Sequence, residues 1–355
     1  IKCANTRGLC LIAQGAWTQA ELQFRFALDL AERNFNDRYI RIITHNLALP
    51  PGYRGDFAES LRWLKRIFRD DQSDKQLPQE AIGHLNVARL HLYRGEFDET
   101  EKHLERALEL CQLYNLKSLR GEIFETYGNF YRETEDPTHA SEFYERASKA
   151  YEDAGINILA RDLEEERARF YLKRGDPAKA RGLLENLIEA RKASNNEIGF
   201  QRATLLSLEA RRELGERGAL AKEVSNVLAF FHEQSLYHDE AMASLLLAQI
   251  YVAEKMRKEM IAPLQRVLDL TARFDYEYWL RGEIKKNPEL FRDEDIVERL
   301  PLDLRDSVAS AKPQVKTAVV QISESLEPVT DLTIRVLGHI DIFRDQSKPF
   351  AADAW

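Results

Sequence analysis

Gly15, Gly55, Gly95, Gly175 and Gly215 stand 40 residues apart or at a multiple of 40, and Glu135 and Lys255 fill the two rungs of that ladder that lack glycine. A turn residue recurring at one period along most of a chain means a stack of one small unit, because no single globular core has a reason to space its turns evenly. The following position reads Ala16, Asp56, Glu96, Asp136, Asp176, Glu216 and Met256. Glycine tolerates the left-handed backbone that ends a helix, and an acid just after it caps the next, where free N–H groups and the positive dipole end favour negative charge. Pro137 and Pro177 follow two of these acids, where a fixed φ suits a first helical turn. The unit is therefore helix, tight turn, helix.

Two further ladders say how the helices touch. Gly8, Ala48, Ala88, Gly128, Ala168, Leu208 and Ala248 form one, and Ala20, Ser60, Thr100, Ala140, Ala180, Leu220 and Met260 the other. Small residues on facing positions let antiparallel helices approach closely. Larger apolar residues surround them at Phe24, Leu64, Leu104, Tyr144, Leu184, Val224 and Leu264. Units of this kind bury their faces against their neighbours, which predicts an elongated, curved solenoid in which each repeat touches only the next. Pro50-Pro51-Gly52 predicts a break in the first helix of repeat two, and the bulky Leu208, Leu220 and Met260 predict that repeats six and seven splay or lead into another module.

Gly8…Gly15-x-Trp17-x-x-Ala20…Phe24-x-x-Ala27 and Tyr93-Arg94-Gly95-Glu96-Phe97…Leu104-x-x-Ala107 resemble the tetratricopeptide repeat. The resemblance implies an all-α superhelix of about seven repeats over residues 1–275, with capping helices at 276–311. Phe274 to Lys286, with an aromatic cluster at Tyr276, Tyr278 and Trp279, reads as the capping helix that shields the last repeat. Residues 312–330, bounded near Pro313 and Pro328, read as a linker. Alternation in Leu332–Leu337 and Ile340–Phe343 across Gly338-His339 predicts a β-hairpin. Residues 331–355 resemble the opening strands of the winged-helix domain of bacterial regulators, whose DNA-reading helices would lie beyond Trp355.

Composition excludes several functions. A net charge of −8 gives the chain as a whole no electrostatic footprint for nucleic acid or an anionic membrane, and no apolar run is long enough to span a bilayer. Cys3, Cys10 and Cys111, without Cys-x-x-Cys spacing, speak against a disulfide framework and for a reducing, cytoplasmic location. Phosphate-loop, nucleophile-elbow and His-Glu-x-x-His motifs are all missing, so neither an enzyme nor a resident cofactor is expected. His84 and His91, seven residues apart and joined by His103, invite a metal reading, but packing is the simpler account and no metal is expected. Cys3 and Cys10 share a helix face and read as small buried thiols. Asp162, Glu164, Glu165 and Glu166 beside Arg161, Arg167 and Arg169 read as intrahelical ion pairs.

What remains is the concave surface. In the tetratricopeptide family the first helix of each repeat lines the inner groove, which implies candidate ligand residues Asn5, His45, Arg89, Glu125, Asn129, Arg132, Glu165, Arg169, Lys173, Glu209 and Arg212. They suit a peptide, a protein segment or a small polar ligand, and for an anionic ligand Arg89, Arg132 and Arg169 are the expected partners. The pattern departs from the Lys/Asn clamp of chaperone-binding members. The resemblance points to the sensor segment of a cytoplasmic bacterial transcription regulator, with DNA contacted only through a further C-terminal module. A plain protein-interaction scaffold is the alternative, and self-association stays open.

Overall fold

The computed structural model describes residues 1–69 and 78–310 and the two strands at 332–337 and 339–344. The helices are α1 Lys2–Ala13, α2 Trp17–Arg33, α3 Asp37–Leu47, α4 Leu49–Arg54, α5 Phe57–Arg69, α6 Pro78–Tyr93, α7 Phe97–Leu113, α8 Lys117–Glu133 and α9 Pro137–Asp153. They continue with α10 Asn157–Lys173, α11 Pro177–Ala193, α12 Glu197–Glu213, α13 Leu220–Glu233, α14 Tyr237–Ala253, α15 Arg257–Phe274 and α16 Glu277–Lys286. A 3-10 turn at Pro288–Phe291, α17 Glu294–Val297 and α18 Leu302–Ser310 close the helical part, and β1 Leu332–Leu337 pairs antiparallel with β2 His339–Arg344. The sequence-derived linker at 312–330 and the rest of 331–355 lie outside the described residues.

Seven antiparallel pairs stack in chain order: α1/α2, α3–α4/α5, α6/α7, α8/α9, α10/α11, α12/α13 and α14/α15. The turn within each pair is left-handed at Gly15, Gly55, Gly95, Glu135, Gly175, Gly215 and Lys255, so the two rungs without glycine adopt the same backbone. A second left-handed ladder, at Phe35, Asn115, Gly155, Asn195, Ser235 and Asp275, ends the six pairs whose ends lie among the described residues. Asp56, Asp136 and Asp176 accept a hydrogen bond from the backbone three residues on, as caps do. Glu96 and Glu216 behave otherwise, because the longer side chain reaches past the helix end to Arg94 and Arg211.

The ladders are the core. Every member of the two close-contact ladders is buried, and Phe24, Leu64, Leu104, Tyr144, Leu184, Val224 and Leu264 are at most 2% exposed. Full burial of such side chains contributes roughly 1.5–3 kcal/mol each. Gly128 shows why the crossings demand small residues: a Cβ there would overlap the Tyr144 ring. The break expected near Pro50 falls at Ala48, between α3 and α4, and Ser60 Oγ donates to the buried Ala48 carbonyl at 2.8 Å. Repeats six and seven do not splay. Leu208, Leu220 and Val224 pack in one cluster with Val227 and Leu246, so the larger residues fill the space that small ones leave elsewhere.

Repeats do not touch only their neighbours. The Tyr276 hydroxyl, just before α16, donates at 2.8 Å to the carbonyl of Gly55, 221 residues away, and the Arg94 guanidinium meets the Asp275 carboxylate at 2.6 Å. Tyr278 lies edge-on to Phe97 and covers Gly95 so closely that a Cβ there would overlap its ring. Trp17 in repeat one joins the cluster of repeats six and seven. The superhelix thus winds until the turns of its first three repeats dock on its last elements. Tyr276 and Tyr278 form that clasp, Tyr276 also packing on Phe274 of the final repeat, and Leu280 and Ile284 of α16 cover that repeat against Leu264 and Leu268.

Candidate functional site

The first helices of successive pairs carry a chain of polar contacts along their inward faces. Asn46 donates to Asn5 at 2.9 Å, His45 contacts Asn46 at 3.3 Å, and Asn86 contacts the far ring nitrogen of His45 at 2.9 Å. In the next repeats Arg89 meets Glu122 at 3.1 Å and Thr126 at 3.1 Å, and the Tyr151 hydroxyl donates to Glu125 at 2.6 Å. Arg132 donates to Glu166 at 2.6 Å and Glu133 at 2.9 Å, and the Tyr144 hydroxyl holds Asn129 at 2.8 Å. Arg169 binds Glu165 at 2.7 Å, and Lys173 reaches back to Glu133 at 2.9 Å. Glu209 and Arg212 lie one repeat further on, and Arg212 contacts Glu213 at 3.4 Å.

Closure of the superhelix turns this face into the wall of a lumen. Tyr93, half exposed and stacked on Phe57 at 4.5 Å, comes within electrostatic reach of Glu166, Arg169 and Arg202. Between repeats three and five the wall opens into a cavity of about 190 Å³, lined by five carboxylates (Glu122, Glu125, Asp162, Glu165, Glu166) against two guanidiniums (Arg89, Arg191). The environments of the acids differ. Burial pushes the Glu125 carboxyl up to about 7, against the opposing pull of Arg89 and the Tyr151 hydroxyl. Burial would raise Glu165 too, but Arg169, Arg191 and Arg202 overcome it and hold that carboxyl down at about 2. Burial and Glu283 raise the Glu209 carboxyl, while burial lowers His45.

Residues 79–153 match the tetratricopeptide-repeat family. Among solved structures, the chain is similar to a Rap protein complexed with competence and sporulation factor (15% identity, TM-score 0.61, covering 87% of this chain and 94% of that one). It is also similar to NprR in complex with its cognate peptide NprX (13% identity, TM-score 0.63, 86% of each chain). No curated protein matches the sequence. The fold is a tetratricopeptide-repeat superhelix.

Within the tetratricopeptide superhelix, the three arginines expected to await an anion are each engaged by carboxylates of this chain. The acidic run on α10 is only partly intrahelical. Arg169 and Arg167 pair along the helix, but Asp162 and Glu165 reach Arg191 on α11, and Glu166 reaches Arg132 on α8. Residues outside the candidate ligand set complete the wall. Glu122, Asp162 and Arg202 occupy one rung of the 40-residue ladder, so the period could have found them. Arg191 was signalled differently: it is a 7%-exposed arginine where neighbouring repeats place Cys111, Tyr151 and Phe231.

Away from the lumen, Cys3 and Cys10 are exposed, not buried, because among the described residues no helix packs over their face of α1; Cys111 is buried. The three histidines meet. His84 Nδ1 lies 2.7 Å from His103 Nδ1, and the His91 and His103 rings stack with centroids 5.7 Å apart. Burial, then mutual repulsion, pulls His84 down to about 4; burial and His91 do the same to His103.

Proposed function

We propose that this superhelix is a peptide-binding sensor whose lumen takes an extended segment bearing a cationic group, a lysine or arginine side chain or an amino terminus. The carrying observation is the cavity in which five carboxylates outnumber two guanidiniums. Arg89 and Arg191, with Arg132 and Arg169 reaching in from the side, pair with four of the five carboxylates; Glu125, held by the Tyr151 hydroxyl, leaves a small negative excess that favours a cation. Glu125, neutral or charged near pH 7, would gain its full charge when a cation arrives. The complex of NprR, a protein of similar fold, with its cognate peptide supports the choice of a peptide occupant.

In this reading the superhelix is the sensor segment of a bacterial transcription regulator. A bound segment bridges repeats three to five and shifts the balance between a closed and an open pitch. The β1/β2 hairpin following the helices supports a further module that contacts DNA, as in the winged-helix resemblance.

Fluorescence polarisation of labelled basic, neutral and acidic peptide pools against the whole chain tests the reading. Basic peptides should bind preferentially, with affinity falling as salt rises, and Glu122→Gln with Asp162→Asn should weaken binding about tenfold or more, equivalent to roughly 1.4 kcal/mol. Preference for acidic peptides, or binding indifferent to the double substitution, would refute the cationic occupant.

A further inference from the structure

A second site lies outside the lumen, at the junction of α6 and α7. Ligand atoms of His91, Glu99 and His103 lie within 4.8 Å of one another. The sequence arranges this locally. Glu99 and His103 are one turn apart on α7 and so share a face, and the tight turn at Gly95 folds the end of α6 back so that His91 faces them. His91 is 4% exposed, and Glu99 stands at the surface.

The surrounding hydrogen bonds single this cluster out from a chance meeting of polar side chains. His91 Nδ1 is taken by Glu96, itself fixed by Arg94 at 2.8 Å, which leaves His91 Nε2. His103 Nδ1 is taken by His84 Nδ1 at 2.7 Å, which leaves His103 Nε2, and that atom lies 4.0 Å from the Glu99 carboxylate. Each candidate imidazole therefore has its second nitrogen held by an outer partner that sets tautomer and ring orientation; the Glu96 carboxylate on His91 is the arrangement that metal-ligating histidines use, and the His84 imidazole takes that place on His103. Packing alone gives no reason for a buried histidine to carry a carboxylate on one nitrogen and turn towards another imidazole and another carboxylate. Arg41, Lys65, Lys102 and Arg106 line the adjoining cavity of about 380 Å³ and oppose a cation; Glu80 in the same lining, with Glu96 and Glu99 beside the histidines, offsets them.

We infer that His91, His103 and Glu99 form a binding site for a first-row divalent transition metal, with zinc the best match. Two imidazoles and one carboxylate supply three ligands and leave a fourth position for water or an anion, a donor set that suits zinc. Bound there, the ion would pin the end of α6 to α7 and fix the turn of repeat three, from which Arg94 reaches Asp275 across the clasp.

The inference is independent of the peptide reading and is tested with the metal alone. Isothermal titration of the full chain with Zn²⁺ should show one saturable site. Co²⁺ should give d–d absorption without a thiolate charge-transfer band, which separates this site from the exposed Cys3 and Cys10. Glu99→Gln and His103→Gln should each weaken binding by more than about 100-fold, and Glu96→Gln, which touches only the outer partner, by about 10–100-fold. His139→Gln, at the exposed pair with Asp136, should change nothing. Circular dichroism of the metal-free variants confirms that they fold. No saturable binding, a thiolate band, or unchanged affinity in Glu99→Gln and His103→Gln would each overturn the inference.

Discussion

The middle of the superhelix and its two ends are built from one repeat, yet they hold together differently. From α8 to α11 each pair leans on the next through buried ladders, and the inward face is a mesh of ion pairs such as Arg132 with Glu166 and Arg191 with Asp162. At the ends, repeats one to three meet repeats six and seven and α16 through aromatic rings: Phe57 beside Tyr276 at 5.7 Å, Phe57 beside His238 at 5.3 Å, Tyr278 against Phe97 at 5.5 Å. The middle shows how a repeat propagates, and the ends show what stops propagation from making an open spiral. Long-range apolar contacts fix the pitch, and the polar middle is left to face a lumen of set width.

Breaking the clasp should have the largest effect. Tyr276 is 2% exposed and donates to Gly55, so Tyr276→Ala should destabilise by about 3–5 kcal/mol, with hydrogen exchange rising in repeats one, two and seven and little in α8–α11. Uniform loosening of the whole chain would show that the ends and middle are one cooperative unit. Next come the crossings. Ala88→Leu and Ala180→Leu should overpack and cost roughly 1–3 kcal/mol in urea unfolding. Glu185→Leu, at a side chain 66% exposed on the same helix as Ala180, should stay within about 0.5 kcal/mol; equal effects at all three would mean the ladder had been given the wrong face.

The smallest effect separates two acids of the middle by the sign of their pH dependence. Glu125, raised to about 7 from an ordinary 4.5, contributes stability that is present below pH 4.5 and lost as pH rises through 7. Glu165, lowered to about 2, contributes stability that is present above pH 4.5 and lost as pH falls towards 2. Glu125→Gln should therefore gain on the native protein by on the order of 1–2 kcal/mol between pH 5 and 8, and Glu165→Gln should lose most at neutral pH. Parallel pH profiles for the two variants would contradict the environments assigned to them.

The repeat itself was legible from Gly15 to Lys255 because a 40-residue period leaves its mark at every turn and crossing. Inward-facing residues such as Arg89 and Glu165 were legible for the same reason, as positions on a helix face. Their partners were not. Whether Arg169 waits for a ligand or closes on Glu165 depends on side-chain reach, which a period does not encode. The clasp was hidden more deeply. Tyr276 and Gly55 meet only because small rotations accumulate over seven repeats, and no local pattern records their sum. The histidines fell between these cases: seven-residue spacing put His84 and His91 on one face, but the turn at Gly95 brought in His103 and Glu99.

Small-angle scattering of the native chain and of a Tyr276→Ala, Tyr278→Ala double variant tests the closed superhelix most directly. A compact globule of this length has a radius of gyration of roughly 20 Å. A clasped superhelix should scatter somewhat above that value, and the double variant should expand measurably while keeping its helical circular dichroism. Identical scattering from the two proteins, at an elongated value for both, would mean that the ends do not meet in solution.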